Sequence, residues 1–442
     1  MIELPNEFID RLQHQFDGTD RIIEAMNSSP PTSLRVNSTK NYTLKNQEKV
    51  PWADNGYYLL ERPIFTLDPY FHAGCYYPQE AGSMYLETVL KHIKLPASPI
   101  VLDMCAAPGG KSLILADFLQ GNGTLISNDI SKSRANILAE NTAKWGFSNG
   151  IVTSNNPASF LNASVLFDVI LIDAPCSGEG MFRKDHEARK HWSLNNCEIS
   201  QKRQFECLEI ANELLKEHGY LIYSTCTFNP AENEKQLKAF ISNYGYSIIE
   251  LNIMDEIQRD SLDIGVQFIP GLTKSEGFYC ALLQKNNGGE ERRAKQKKDK
   301  SFGFKVYDQY AEIKTSSNKE IVFTEHDNHV LATNYQTIEI QQKLKQHLFL
   351  LKYGTSVYEK IKDKLKPSVE MAFAQDVRWN GPSIELNESN ALEYLRGNTF
   401  EIEAGKDFYQ INYVGNGLGY INHTGIRFNN LFPKNWRIKM RS

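Results

Sequence analysis

The chain has 442 residues, 41% of them hydrophobic and 23% charged, which predicts about two to four globular domains with sizeable cores. A formal net charge of −4 excludes a protein that meets polyanions over its whole surface, so any nucleic-acid contact must come from local patches. Seven cysteines without a C-x-x-C pair, no apolar run of 18 residues and no signal-peptide core exclude a disulfide framework, a zinc site and a membrane span; a cytoplasmic monomer without metal is expected.

Phe8, Leu12 and Phe16 mark an amphipathic helix, and "SLRVN" (33–37) and "YYLLE" (57–61) read as strands of an N-terminal module over 1–75. "YYPQEAGSMYLETVLKHI" reads as a Pro-led helix opening the next domain, 76–286. Strands are then expected at 100–106, 124–130, 150–154, 167–174, 220–226 and 278–283, with helices near 111–119, 132–146, 198–217 and 230–243. Strands that are almost continuously apolar and alternate with helices predict an α/β fold with a doubly wound, mostly parallel sheet. Such sheets bind ligands beyond the carboxyl ends of their strands, so the loops there carry the candidate chemistry.

The first of these loops is "LDMCAAPGGKS" (102–112). Gly109 and Gly110 let a ligand approach the backbone at a helix N-terminus. A P-loop would need glycine where Cys105 stands, and G-x-G-x-x-G is absent, so a phosphate nest is not expected. Asp129, at the end of the second strand, is placed to accept hydrogen bonds from a ribose, its alternative being to cap the helix opening at 131–134. A ribose-bearing cofactor without a phosphate cradle points to S-adenosylmethionine. In "IDAPCSGEGMFRKD" (172–185), Asp173 and Cys176 follow the fourth strand. In "STCTFNPAENE" (224–234), Cys226 ends the fifth, with Asn229, Pro230 and Glu232 predicted to cap and open the next helix. Two thiols, a carboxylate and Lys111 on one sheet edge form a constellation suited to covalent catalysis.

Beyond 286, "EERRAKQKKDK" (290–300) reads as the body of a charged linker over 287–302, followed by a first C-terminal α+β domain at 303–384 and a second at 385–442. From Asn412 onward the chain carries Arg427, Lys434, Arg437, Lys439 and Arg441 with no acid, interleaved with Tyr413, Tyr420, Phe428, Phe432 and Trp436. That mixture suits RNA, and a small β-domain core would explain the aromatics equally well.

"CAAPGGKS", "DAPCSGEG" and "STCT", in this order at three strand ends, resemble the motifs of the Sun/Nop family of RNA (cytosine-5) methyltransferases. "SGEGMFRKD" and the C-terminal extension are most similar to its bacterial RsmF branch, which acts on small-subunit ribosomal RNA. The resemblance implies a Rossmann-like methyltransferase domain, an N-terminal module facing RNA and a PUA-like C-terminal domain. It implies that Cys226 attacks cytosine carbon 6 and that Cys176 assists release, with Asp173 at ring nitrogen 3 and the exocyclic amine and Lys111 near the carbonyl oxygen. Cys105, Ala106, Ala107, Pro108, Gly109, Gly110, Lys111, Asp129, Arg134, Asn156 and Asp173 would hold S-adenosylmethionine. Asn156 departs from the family's usual Asp at the adenine contact; an amide still offers an acceptor. Arg35, Arg183 and Lys184 would join Arg427, Lys434, Arg437 and Lys439 in meeting RNA. A DNA methyltransferase is disfavoured because it takes its nucleophile from the Pro-Cys loop, and here "TCT" is present as well. Transfer RNA is the alternative substrate, and a catalytically idle RNA-binding assembly factor the alternative class.

Overall fold

A computed structural model describes residues 3–254, 256–286, 306–307, 310, 313–315, 320–362 and 364–440. The expected charged linker and Arg441 lie outside the described residues.

The N-terminal helices Asn6–Gln15 and Thr19–Met26 bury Phe8, Leu12, Ile22 and Met26 together with Phe182, Trp192 and Phe228, residues that lie just downstream of the Pro-Cys and Thr-Cys motifs. Strand Thr32–Val36 pairs antiparallel with Gly56–Leu59 and with Tyr76–Pro78. The predicted Pro-led helix is therefore corrected. Pairing with Leu34 to Val36 holds Tyr76–Pro78 extended, and only Gly82–Tyr85 and Leu86–Leu90 are helical. The N-terminal module thus runs to Pro78, past the expected boundary at 75.

The central sheet has β1 (Ile100–Asp103), β2 (Thr124–Asn128), β3 (Gly150–Thr153), β4 (Phe167–Asp173) and β5 (Leu215–Thr225), all parallel, in the order β3-β2-β1-β4-β5. Strand β6 (Phe278–Lys285) runs antiparallel beside β5. The inner strands are buried on both faces, as their apolar sequences require. The order reverses at β1, so a crevice opens at the carboxyl ends of β1 and β4.

The region expected as a separate domain at 303–384 is divided. Its strand β7 (Leu350–Tyr353) pairs antiparallel with β3 and extends the central sheet, and helix Tyr335–Lys345 lends Ile340 and Leu344 to the same core. Val306–Tyr307, Val322–His326, His329–Thr333, Thr355–Ile361 and Lys364–Pro367 build a sheet of their own. A strand completing a sheet begun about 200 residues earlier carries no local mark of that partner; only the pairing shows it.

The C-terminal sheet comprises Ser383–Glu385, Asp407–Tyr413, Asn416–His423 and Phe428–Asn430, with helix Glu388–Arg396 beside it. Its core includes Tyr394, Ile411, Ile421, Phe428 and Phe432, and it is continuous with Leu34, Val36 and Tyr76 of the N-terminal module. Tyr420, Phe428 and Phe432 are thus packing residues, while Trp436 stays half-buried at the surface.

Candidate active site

Strand β1 ends at Asp103, and the chain turns through Cys105 to Pro108 before Gly109, at φ 123°, opens helix Gly110–Leu119. Only glycine adopts that backbone without strain. Asp103 is fully buried; its Oδ2 accepts from Ser112 Oγ at 2.7 Å, and its Oδ1 has no hydrogen-bond partner among the described residues. Burial, reinforced by Asp173 and Asp129, pushes its carboxyl up to about 7 against the Ser112 hydrogen bond. An orphaned buried carboxylate oxygen beside a glycine turn fits a ligand that brings positive charge, as a sulfonium or α-ammonium does.

Asp129 is buried just past β2. Its Oδ1 accepts from Ser131 N–H at 2.8 Å, and its Oδ2 lies 3.3 Å from Arg134 Nη2. Arg134 also donates to Ala107 O at 2.5 Å, which ties the helix after β2 to the first turn. Asp129 thus closes a turn onto Ser131, the N-cap of helix Lys132–Trp145, rather than capping that helix itself, and its Oδ2 is shared with an exposed arginine. Asn156 is exposed, and its Oδ1 caps the turn Pro157–Asn162 through Ala158 N–H at 3.0 Å, so the acceptor expected at an adenine is engaged locally. A residue missed by sequence reasoning is Asn128. Fully buried, it donates to Met104 O and Asn155 O and accepts from Thr153 Oγ1, fastening the ends of β1, β2 and β3 together.

Asp173, at the end of β4, binds Lys111 Nζ at 2.8 Å through Oδ2 and accepts from Ser224 Oγ at 2.9 Å through Oδ1. Burial works against the charge on Lys111, but Asp173, Cys226 and Asp103 together raise it above the ordinary lysine range. Its Nζ also stands 5.2 Å from the Phe278 ring centroid. The sulfurs of Cys176 and Cys226 are 3.0 Å apart. The hydrogen bond to Cys226, then burial, raise the Cys176 thiol above the ordinary cysteine range. Lys111, Asp173, Cys176 and Cys226 thus converge as expected.

Two buried glutamates hold the thiol loops in register. Glu232 accepts from Ser177 N–H and Gln204 Nε2, each at 2.9 Å, and Gln204 reaches Pro175 O at 3.0 Å. Glu179 accepts from Arg11 at 2.5 Å, Trp192 Nε1 at 3.0 Å and Phe228 N–H at 3.3 Å. Gly180 N–H closes the loop on Cys226 O at 2.8 Å. A Cβ on Gly180 would meet Gly277 O at 2.4 Å, so glycine is required there. The expected cap after Cys226 is corrected: the helix is Glu234–Tyr244 with Asn233 before it, and Glu232 divides its carboxylate, Oε2 answering Ser177 N–H and Oε1 the Asn229 side chain. Glu179, Glu232 and the buried Cys197 cluster closely enough to suggest a metal site. The carboxylate oxygens, however, already accept N–H donors, with Asn229 Nδ2 on Glu232 Oε1, and burial pushes the Cys197 thiol up to about 12. The cluster is a brace.

Of the cations expected to meet RNA, Arg35 is corrected. It is buried, bonded to Glu87 at 2.6 Å and Asp117 at 2.5 Å, and stacked over Trp145. Arg183 is also buried, on Glu276 and Ser275 O. Lys184, Arg427, Lys434 and Lys439 are exposed, and Arg437 is half-buried against Gly397. Among the described residues, no helix is long and apolar enough to cross a membrane.

Comparison with known proteins agrees with this layout. Residues 92–284 match the family described as 16S rRNA methyltransferase RsmB/F, 4–81 the N-terminal domain of 16S rRNA methyltransferase RsmF, and 382–438 the methyltransferase RsmF PUA domain. The chain is similar to the ribosomal RNA small subunit methyltransferase F of Shewanella loihica, 28% identical over 98% of this chain and 95% of that one. It is equally similar to that of Aliivibrio fischeri, 28% identical over 98% and 97%. A crystal structure of a methyltransferase homologue from Pyrococcus horikoshii superposes with a TM-score of 0.57 at 29% identity, over 64% of this chain and 96% of that one. With family matches to the N-terminal module, the catalytic sheet and the C-terminal domain in the order the fold displays, the chain belongs to the RsmB/F family of methyltransferases, in its RsmF branch.

Proposed function

We propose that this protein is an S-adenosylmethionine-dependent RNA (cytosine-5) methyltransferase acting on small-subunit ribosomal RNA through a covalent Cys226 adduct. The observation that carries the reading is the convergence of Cys226, Cys176 and the Lys111–Asp173 ion pair at the carboxyl ends of β4 and β5. Asp103 and Asp129, with the turn from Cys105 to Gly110, would hold the cofactor, which supplies an electrophilic methyl group when bound. Arg134 shapes that wall through Ala107, and Asn156, whose amide oxygen keeps a second lone pair beside its bond to Ala158 N–H, stands at the adenine contact.

Cytosine carbon 5 is a weak nucleophile. Addition of the Cys226 sulfur to carbon 6 pushes the ring's electrons toward carbon 5 and onto the carbonyl oxygen and nitrogen 3. Lys111, kept charged by its neighbours, stabilises the developing negative charge, and Asp173 orients the base by accepting from the exocyclic amine. After carbon 5 has gained its methyl, its proton passes to solvent water, the C–H electron pair re-forms the double bond to carbon 6, and the carbon 6–sulfur bond breaks with its electrons going to the Cys226 sulfur. The Cys176 thiol, 3.0 Å from that sulfur, donates to the departing thiolate. The target base must leave its stack to reach a sulfur held between two loops. RNA as partner, monomeric action and a cytoplasmic setting belong to the same reading.

The test is incubation of the purified protein with small-subunit particles or 16S rRNA and labelled S-adenosylmethionine, followed by nucleoside analysis. Label in 5-methylcytidine is expected. Label confined to another nucleoside, or transfer to transfer RNA alone, refutes the reading.

A further inference from the structure

A cleft of about 560 Å³ lies where three parts of the chain meet, apart from the thiol loops. One wall is helix Pro69–His72, another is helix Lys132–Trp145, and the third is the C-terminal segment 435–440. Pro108 of the first catalytic turn also lines it, and Asn141 Nδ2 donates to Pro108 O at 2.9 Å. The cleft therefore backs onto the turn that ends at Gly109.

Its chemistry is specific. Lys144 Nζ lies 5.7 Å from the Phe71 ring centroid and 5.5 Å from that of Trp436, and its charge is matched by Glu140 at 2.6 Å. Arg437, packed against Gly397, and the exposed Lys439 add two further cations to the lining. His72 is 4% exposed; its Nε2 meets Thr66 O at 3.0 Å, so Nε2 carries the proton and Nδ1 is a bare acceptor. Burial, then Lys144, pull this histidine down to about 4, which keeps it neutral. Neither His72 Nδ1 nor Arg437 Nε has a hydrogen-bond partner among the described residues. Buried groups left in that state cost about 1–3 kcal/mol each, so a ligand that answers them is strongly favoured.

A flat ring, cations in the lining and buried acceptor and donor atoms without partners are what an unstacked nucleotide uses, through its base face, its phosphate and its base edge. The volume lies within the usual range for one small ligand, about 300–1,000 Å³. The only carboxylate among the lining residues, Glu140, is spent on Lys144.

We propose that this cleft binds one unstacked nucleotide of the RNA substrate, other than the one methylated, with its base on Trp436 and its phosphate at Arg437 and Lys439. The proposal rests on RNA being the substrate and is independent of which atom is methylated. Because N-terminal, catalytic and C-terminal residues all line the cleft, filling it would fix the RNA against all three at once, beside the turn that shapes the reaction site.

The test uses the full chain saturated with S-adenosylhomocysteine, titrated by anisotropy with a labelled single-stranded RNA of mixed sequence. Trp436→Leu should weaken binding about 5- to 150-fold, the equivalent of about 1–3 kcal/mol for one stacked base, and Trp436→Tyr should stay within about threefold of the wild type. Unchanged affinity in Trp436→Leu overturns the proposal. So does an equal loss in Trp436→Tyr accompanied by a lower melting temperature, which would make the ring a packing element. Adenosine monophosphate is the competitor: if it binds the cleft tightly and leaves RNA affinity unmoved, the site serves a free nucleotide and the proposal fails. If the stacking loss appears while methylation yields no 5-methylcytidine, the reaction assigned above is wrong and the cleft assignment stands.

Discussion

The sulfur of Cys176 lies 3.0 Å from the sulfur of Cys226, and that contact, with burial, raises the Cys176 thiol. The reaction proposed above gives the two thiols different parts, and they should fail differently. Cys226→Ala should abolish methyl transfer with cofactor affinity near normal. Cys176→Ala should still form the bond to carbon 6 but release it slowly, accumulating a protein–RNA species that survives a denaturing gel. Substantial turnover in Cys226→Ala, or no such band in Cys176→Ala, reverses or removes these roles.

The braces behind the thiols offer a second comparison. Glu232→Ala leaves Ser177 N–H buried without its acceptor, a loss of about 1–3 kcal/mol, takes one of two acceptors from Gln204 Nε2, and lets the Pro-Cys loop move relative to Cys226. Melting temperature and methyl transfer should both fall, and Glu232→Gln, which keeps an acceptor, should recover much of the former. If the alanine variant loses neither, Glu232 does not position the loop.

Much of this site was legible because its parts are short-range. Gly109 and Gly110 before a helix, Asp173 and Cys176 past one strand, and Cys226 past the next are all set by where a strand ends. Glu232 shows the limit. Its spacing from Asn229 fits a capping box, and Oε1 does meet the Asn229 side chain, yet Oε2 answers Ser177, 55 residues away, and the helix starts only at Glu234. Arg35 shows the same limit for charge. In "SLRVN" it looks like a surface cation on a strand, and only the approach of Glu87 and Asp117 from two helices explains its burial. Strand Leu350–Tyr353 joined the catalytic sheet through pairing with Gly150–Thr153, which no local pattern specifies.

Arg35 yields a prediction of its own. Removing one partner from a buried ion pair leaves uncompensated charge and costs about 3–5 kcal/mol. Arg35→Gln should therefore lower the melting temperature by many degrees while leaving RNA affinity per folded molecule unchanged. A stable variant with weakened RNA binding would return Arg35 to the RNA surface.

Asp103 should give the pocket a pH signature. Its carboxyl rises from an ordinary 3.8 to about 7 in the folded chain, so the unfolded chain gives up this proton first. Stability contributed by Asp103 falls as pH rises from about 4 to about 7 and is level above that, an effect of roughly 4 kcal/mol at most. Asp103→Asn should flatten that stretch of the melting-temperature profile. Cofactor affinity moves in the opposite sense: a cationic ligand favours the ionised carboxylate, so binding should tighten toward pH 7 with release of a proton, seen by calorimetry in buffers of different ionisation enthalpy. A pH-independent dissociation constant would mean that the cofactor's positive charge does not lie near Asp103.

The exposed C-terminal cations close the set. Lys434 and Lys439 are exposed on a segment without an acid, and each phosphate contact should contribute about 0.7–0.9 to the slope of log affinity against log salt. Truncating the segment would be a poor probe, since Phe428, Phe432 and Ile438 belong to a core shared with the N-terminal module. Lys434→Gln combined with Lys439→Gln removes charge and spares that core. RNA binding should weaken and its salt slope flatten by roughly one to two, with cofactor affinity and melting temperature unmoved. If these lysines instead balance acidic residues within the protein, the melting temperature falls and the salt slope persists, and that outcome removes the C-terminal segment from the RNA surface.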